Sequence, residues 1–218
     1  MINNLFYIAI ILISGIFALN FLKAVKKRRR ISNEVTSSSA PNVEILYTTE
    51  IRNNKIHFVS GSLSVLITLS DCIYIPIEVN KTLEIRTFYN ELKGLINEKM
   101  EKEVLYYYDT SMKNKIFLSE QKGKKIVYSI IPFSYEISEI EEPIKNNYFN
   151  VIKKCLEIKY ETILIPVKPT DRIGIPPQMY AHNVIEPIFS GLRIAGNTEI
   201  YLFHENERLL WNIINALK

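Results

Sequence analysis

The stretch ETILIPVKPTDRIGIPPQMYAHNVIEPIF (Glu161 to Phe189) begins as an unbroken apolar strand. It passes through a loop holding Pro166, Pro169, Gly174, Pro176 and Pro177, then resumes as a helix. ETILIPV has the pattern of a strand buried on both faces, as in a sheet covered by helices on either side. Pro176 and Pro177 sit where the helix should start, and proline is favoured at that first position. Gly174 lets backbone approach a ligand closely. In open α/β sheets, ligands lie outside the carboxyl ends of the strands, against helix N-termini that suit phosphate. These residues also allow a plain strand-to-helix connection punctuated by Gly and Pro.

The segments around this stretch alternate in the same way. VEILYTT and KIHFVSG read as strands, DCIYIPIEV as a buried central strand, and KIFLSE with KKIVYSIIP as a further strand pair. EIRTFYNELKGLINEKM carries Ile85, Phe88, Leu92 and Ile96 near helical spacing, and EEPIKNNYFNVIKKCLEI turns Ile144, Phe149, Ile152, Cys155 and Leu156 to one side. QMYAHNVIEPIFSGL reads as a helix, TEIYLFH as the last strand and ERLLWNIINAL as a closing helix. Strands interleaved with helices predict an α/β domain of three layers around a central mixed sheet.

The amino terminus is of another kind. Leu5 to Ala24 holds no charge before Lys23, and about 20 apolar residues span a bilayer core. No basic residue precedes the run, as a signal peptide would require, while KAVKKRRR follows it. The expectation is one uncleaved transmembrane helix with Lys23, Lys26, Lys27, Arg28, Arg29 and Arg30 on the cytoplasmic face, hence a single-pass protein of the cell membrane. The predicted organisation is an anchor with its collar (1–30), a polar linker (31–42) and a cytoplasmic domain (43–218).

Subtracting those six charges from the formal +4 leaves about −2 for the remainder, so the basic balance belongs to the collar, facing lipid, and not to a nucleic-acid surface. Cys72 and Cys155 sit in apolar surroundings and are expected as reduced core residues on the cytosolic side. His57, His182 and His204 are scattered without ligand spacing, so no metal site is expected.

The loop resembles the second phosphate loop of macro domains. Pro166, Thr170, Gly174, Pro176 and Ala181 fall on matching positions. KIHFVSGSL and DCIYIPIEVN resemble the family's strand–Gly–Asp turn and its Asn-ending strand, with Gly61 and Asn80 matching. In EIYLFHENE, Phe203 falls where macro domains often carry an adenine-stacking aromatic. The resemblance implies a three-layer macro-like fold and an ADP-ribose-type ligand held by Ser62, Asn80, Thr170, Arg172, Ile173, Gly174 and Phe203. No resident cofactor is expected beside that ligand.

The departures are specific. Ser62 stands where the family has an adenine-binding Asp, Ile77 replaces the first Asn of the strand-end motif, and the Gly-rich first phosphate loop expected after Asn80 is missing. Asp171 replaces a Gly, with Arg172 beside it to offset the charge and fork onto a diphosphate. Hydrolytic members position a water with that asparagine and that loop, so no catalytic residue is assigned.

A membrane segment followed by a macro domain resembles the effector of one class of bacterial anti-phage Thoeris systems, which answers an ADP-ribose-derived signal by harming the membrane. Those effectors commonly have more than one membrane helix. Ser14, Ala18 and Asn20 are candidates for helix association and hence for a homo-oligomer. The competing expectations are a tethered ADP-ribosyl hydrolase and an adaptor that kept the fold and lost the pocket. YYYD (Tyr106 to Asp109) is read as strand or edge packing before a stacking platform.

Overall fold

The computed structural model describes residues 42–79, 82–109, 115–131, 137–167, 177–193 and 197–217. Strands β1 (Val43–Ile51), β2 (Asn54–Gly61), β3 (Cys72–Val79), β4 (Ile85–Thr87), β5 (Ile116–Gln121), β6 (Lys124–Ile130), β7 (Thr162–Pro166) and β8 (Glu199–Phe203) form one sheet. Its order is β1-β2-β8-β7-β3-β6-β5, with β4 paired to β3 off this path. The inner strands β2, β8, β7, β3 and β6 run parallel, while β1 and β5 close the two edges antiparallel.

The strands sort their side chains by alternation, as the pleat requires. Cys72 and Tyr74 of β3, Ile163 and Ile165 of β7, and Ile200 and Leu202 of β8 face one way. They pack against α4 (Ile137–Glu157), a π turn (Ala181–Ile185) that follows α5 (Pro177–Tyr180), α6 (Glu186–Leu192) and α7 (Glu207–Ala216). Ile73, Ile75, Ile77, Leu164, Tyr201 and Phe203 face the other way. They meet α1 (Leu63–Leu69), Leu92 of α2 (Asn90–Lys93), and Met100 and Val104 of α3 (Glu98–Asp109). The result is a mixed three-layer α/β fold with the sheet between two apolar faces.

Local chemistry fixes the ends. Asn206 caps α7, its side chain accepting from the Leu209 N–H at 3.1 Å, and Leu210, Ile213 and Ile214 turn inward along one stripe. Lys122 and Gly123, at φ of 51° and 72°, make the two-residue turn that joins β5 to β6. Across the core, the Tyr74 hydroxyl donates to Asn147 Oδ1 at 2.9 Å. Asn147 Nδ2 in turn donates to Ser129 Oγ at 3.0 Å, tying β3, β6 and α4 through buried polar groups.

Three expectations are corrected. Ile85 lies in strand β4, not in a helix, and helical structure begins only at Asn90. The YYYD stretch ends helix α3: Tyr107 packs on Phe117 at 5.2 Å, and the Tyr128 hydroxyl reaches Glu103 at 2.6 Å. Helix α4 starts at Ile137, ahead of Glu141, which leaves Pro143 inside it. Among the described residues no helix is long and apolar enough to cross a membrane. The predicted anchor Leu5–Ala24 lies outside them.

Candidate functional site

Adjacent parallel strands whose following connections leave to opposite faces create a crevice at their carboxyl ends. Strands β3 and β7 are such a pair. The chain leaving β3 runs to the face of α2 and α3, and the chain leaving β7 runs to the face of the π turn and α6. Their ladder is short, Cys72 with Ile163 and Ile73 with Leu164.

Pro76 and Pro166 together explain where it stops. Ile77 gives its carbonyl to the Ile131 N–H on the β6 side at 2.8 Å. Because backbone groups alternate between the two edges of a strand, Pro76 faces the β7 edge. Pro166, next to Val167 whose N–H turns to β8, faces the β3 edge, and neither proline has an N–H to carry the ladder on. Strand β4 takes the opened edge. Ile77 bridges Ile130 and Thr87 at once, so β4 must lie opposite β6.

The residues at these strand ends are packed together. Val167, at the end of β7, is tied to β8 by its N–H, which donates to the Phe203 carbonyl at 2.8 Å. The Tyr89 hydroxyl donates to the Val167 carbonyl at 2.8 Å. The Tyr89 ring stands edge-on to Phe203, centroids 5.3 Å apart and planes at 66°. Tyr89 is 4% exposed, Phe203 1% and Val167 0%.

The predicted site residues divide into two groups. Ser62 is described: it follows Gly61, whose φ of 100° makes the turn after β2, and it stands at the start of α1 with no side-chain capping bond. It lies at the same carboxyl edge as Phe203, since β2 and β8 run parallel. Phe203 is described and buried, so its ring offers no open face to a base in this structure. Asn80, Thr170, Arg172, Ile173 and Gly174 lie outside the described residues. The chain ends that flank them, Val79 and Val167, reach this same edge. Sequence reasoning missed Tyr89, whose only signal was an aromatic residue directly before the short helix NELK.

Other clusters among the described residues do not supply reactive chemistry. Burial holds the His57 ring below its ordinary pKa against the opposing pull of Glu199. The ring stacks on Tyr201 at 5.2 Å, and its Nδ1 meets the Thr48 hydroxyl at 2.9 Å. His182 pairs with Glu186 one helical turn on, in the open. No group of metal-binding side chains occurs among the described residues. A shallow cleft of about 330 Å³ beside α5 and α7 is lined by Gln178, Asn212, Asn215 and Ala216, which bring no titrating group to it.

No protein-family model matches this chain, and no curated protein does. Solved structures do. The Oceanobacillus iheyensis macrodomain with ADP is 15% identical at a TM-score of 0.60, over 81% of this chain and 96% of that one. The macro domain of ganglioside induced differentiation associated protein 2 is 12% identical at 0.54, over 75% and 83%. A Trypanosoma brucei macrodomain is 8% identical at 0.55, over 81% and 72%. The fold is that of a macrodomain.

Proposed function

We propose that the domain binds an ADP-ribose-type nucleotide at the carboxyl ends of β3, β7 and β8. In this reading Asn80 faces the distal ribose, while Thr170, Arg172, Ile173 and Gly174 hold the diphosphate. Ser62 and Phe203 border the base end. The observation that carries the reading is the switch-point crevice between β3 and β7 in a macrodomain fold, a fold whose Oceanobacillus iheyensis representative is similar to this one and holds ADP.

The chain itself is read as a membrane-anchored sensor or effector. Leu5–Ala24 spans the bilayer once, the collar keeps the domain cytoplasmic, and association of anchors makes an oligomer that ligand binding modulates. An anti-phage role by membrane disruption is part of this proposal, and its support is the order of segments in the sequence. Protease digestion of intact spheroplasts tests the orientation: the domain should survive until lysis, and cleavage before lysis would contradict it.

Titration calorimetry of the detergent-solubilised full chain with ADP-ribose and its conjugates tests the binding. Saturable heat supports the sensor. A flat titration with every ligand moves the protein to the adaptor reading, which the enclosure of Phe203 favours. Release of free ADP-ribose from a conjugate would instead establish the hydrolase.

A further inference from the structure

At the carboxyl ends of β7 and β8, beside Phe203 at the base end of the proposed site, a side chain of the protein already stands. Resting on the binding reading above, we propose that Tyr89 fills the place of the ligand's base. The site as built would then recognise the ribose–diphosphate part of its ligand and gain nothing from adenine.

Tyr89 makes the two kinds of contact that a bound base makes. Its ring meets an aromatic side chain edge-on, at a centroid distance of 5.3 Å from Phe203. Its hydroxyl takes a main-chain carbonyl at a strand end, Val167 O at 2.8 Å. With Tyr89 and Phe203 4% and 1% exposed, no ring face remains for a second aromatic group.

The segment that delivers Tyr89 is built into the sheet. Three consecutive pairs, Ile77 with Thr87, Glu78 with Arg86 and Val79 with Ile85, lay β4 along the edge that β7 leaves after Leu164. Two residues beyond Thr87, Tyr89 opens α2, which sends Leu92 into the apolar face below. Swinging the tyrosine out would disturb a ladder, a hydrogen bond and a packed helix together. A fixed filler selects a ligand that does not need the space.

The plain alternative is that Tyr89 is one more core residue and that a base stacks elsewhere. Comparing ADP-ribose with ribose 5-diphosphate separates the two, because the second keeps the ribose and the diphosphate and lacks the nucleoside. In calorimetry on the full chain, the wild type should bind both within about threefold. Tyr89→Leu and Tyr89→Ala should tighten ADP-ribose at least tenfold and leave ribose 5-diphosphate unchanged. Tyr89→Phe, which keeps the ring and loses the hydroxyl's bond to Val167, should retain the wild-type pattern.

A tenfold wild-type preference for ADP-ribose would overturn the inference. So would folded Leu and Ala variants that gain nothing, or a Phe variant that gains as much as they do. If wild type and folded variants bind neither ligand, the binding reading falls and this inference with it. Should the Leu and Ala variants not fold, the wild-type ratio and the Phe variant still decide.

Discussion

At their amino ends β3 and β7 are hydrogen-bonded neighbours; beyond Ile73 and Leu164 their ladder is gone. The amino end is sealed. Cys72 and Ile163 are fully buried, and the sulfurs of Cys72 and Cys155 face one another at 3.9 Å between sheet and helix. At the carboxyl end, two prolines without an N–H, Pro76 and Pro166, stop the pairing; β4 takes the free edge of β3, and Tyr89 bonds the end of β7. The same two strands thus serve stability at one end and, in the proposed function, present a recognition edge at the other. Strand ends are cheap places to vary, because the core behind them does not depend on what fills them.

Breaking the sealed end should have the largest effect. Ile163→Ala removes a fully buried side chain from the close-packed face beneath α4 and α6. A loss of about 2–5 kcal/mol is expected in denaturant unfolding. A loss below about 1 kcal/mol would mean that the core can collapse around the site, and that the two ends differ less than the pairing suggests.

A smaller break lies in the buried polar link. Asn147→Leu leaves the Tyr74 and Ser129 hydroxyls, both 0% exposed, without the carboxamide they share. Burial already pushes the Tyr74 hydroxyl well above its ordinary pKa. Stranding such groups costs about 1–3 kcal/mol each, though the two hydroxyls still have one another, so the lower part of that range is expected by thermal unfolding. Ligand affinity should not move.

At the carboxyl edge the expected effect is on binding instead. Gly174→Val places a β-branched side chain where backbone is expected to approach the diphosphate. Affinity for ADP-ribose should fall at least tenfold, about 1.4 kcal/mol, with little change in the melting temperature of the free protein. Binding as tight as the wild type would take the phosphate away from this loop.

The legibility of the molecule follows the same division. DCIYIPIEV and ETILIPV announced themselves as central strands because burial on both faces leaves a nearly continuous apolar run, and they became β3 and β7. LSVLITL escaped notice since its run of apolar and β-branched residues carries no helical period; tertiary packing of Leu63 and Leu66 under the sheet makes it α1. Ile85 and Phe88 matched a helical spacing over a window too short to exclude a strand, and the edge vacated at Pro76 decided in favour of β4. Tyr89 was unreadable for a stronger reason. Its role depends on Val167 and Phe203, which lie 78 and 114 positions away and meet it only in the fold.

The smallest effect expected separates the two ends most cleanly. Cys155 is fully buried in the last turns of α4, and its contact with Cys72, followed by burial, holds the Cys72 thiol above its ordinary pKa. A thiol kept protonated and away from solvent is a packing group and not a nucleophile. Cys155→Ala deletes one buried sulfur, comparable to a methylene, so stability should fall by about 1 kcal/mol. The remaining Cys72, at 0% exposure, should still react with a disulfide reagent only as fast as the protein unfolds. The affinity for ADP-ribose should stay within about twofold of wild type, because the change lies behind the paired end of β3 and β7 and leaves Pro76, Tyr89 and Phe203 in place. A tenfold shift in affinity would show that the sealed end communicates with the crevice through β3, and the separation of roles along these strands would have to be given up.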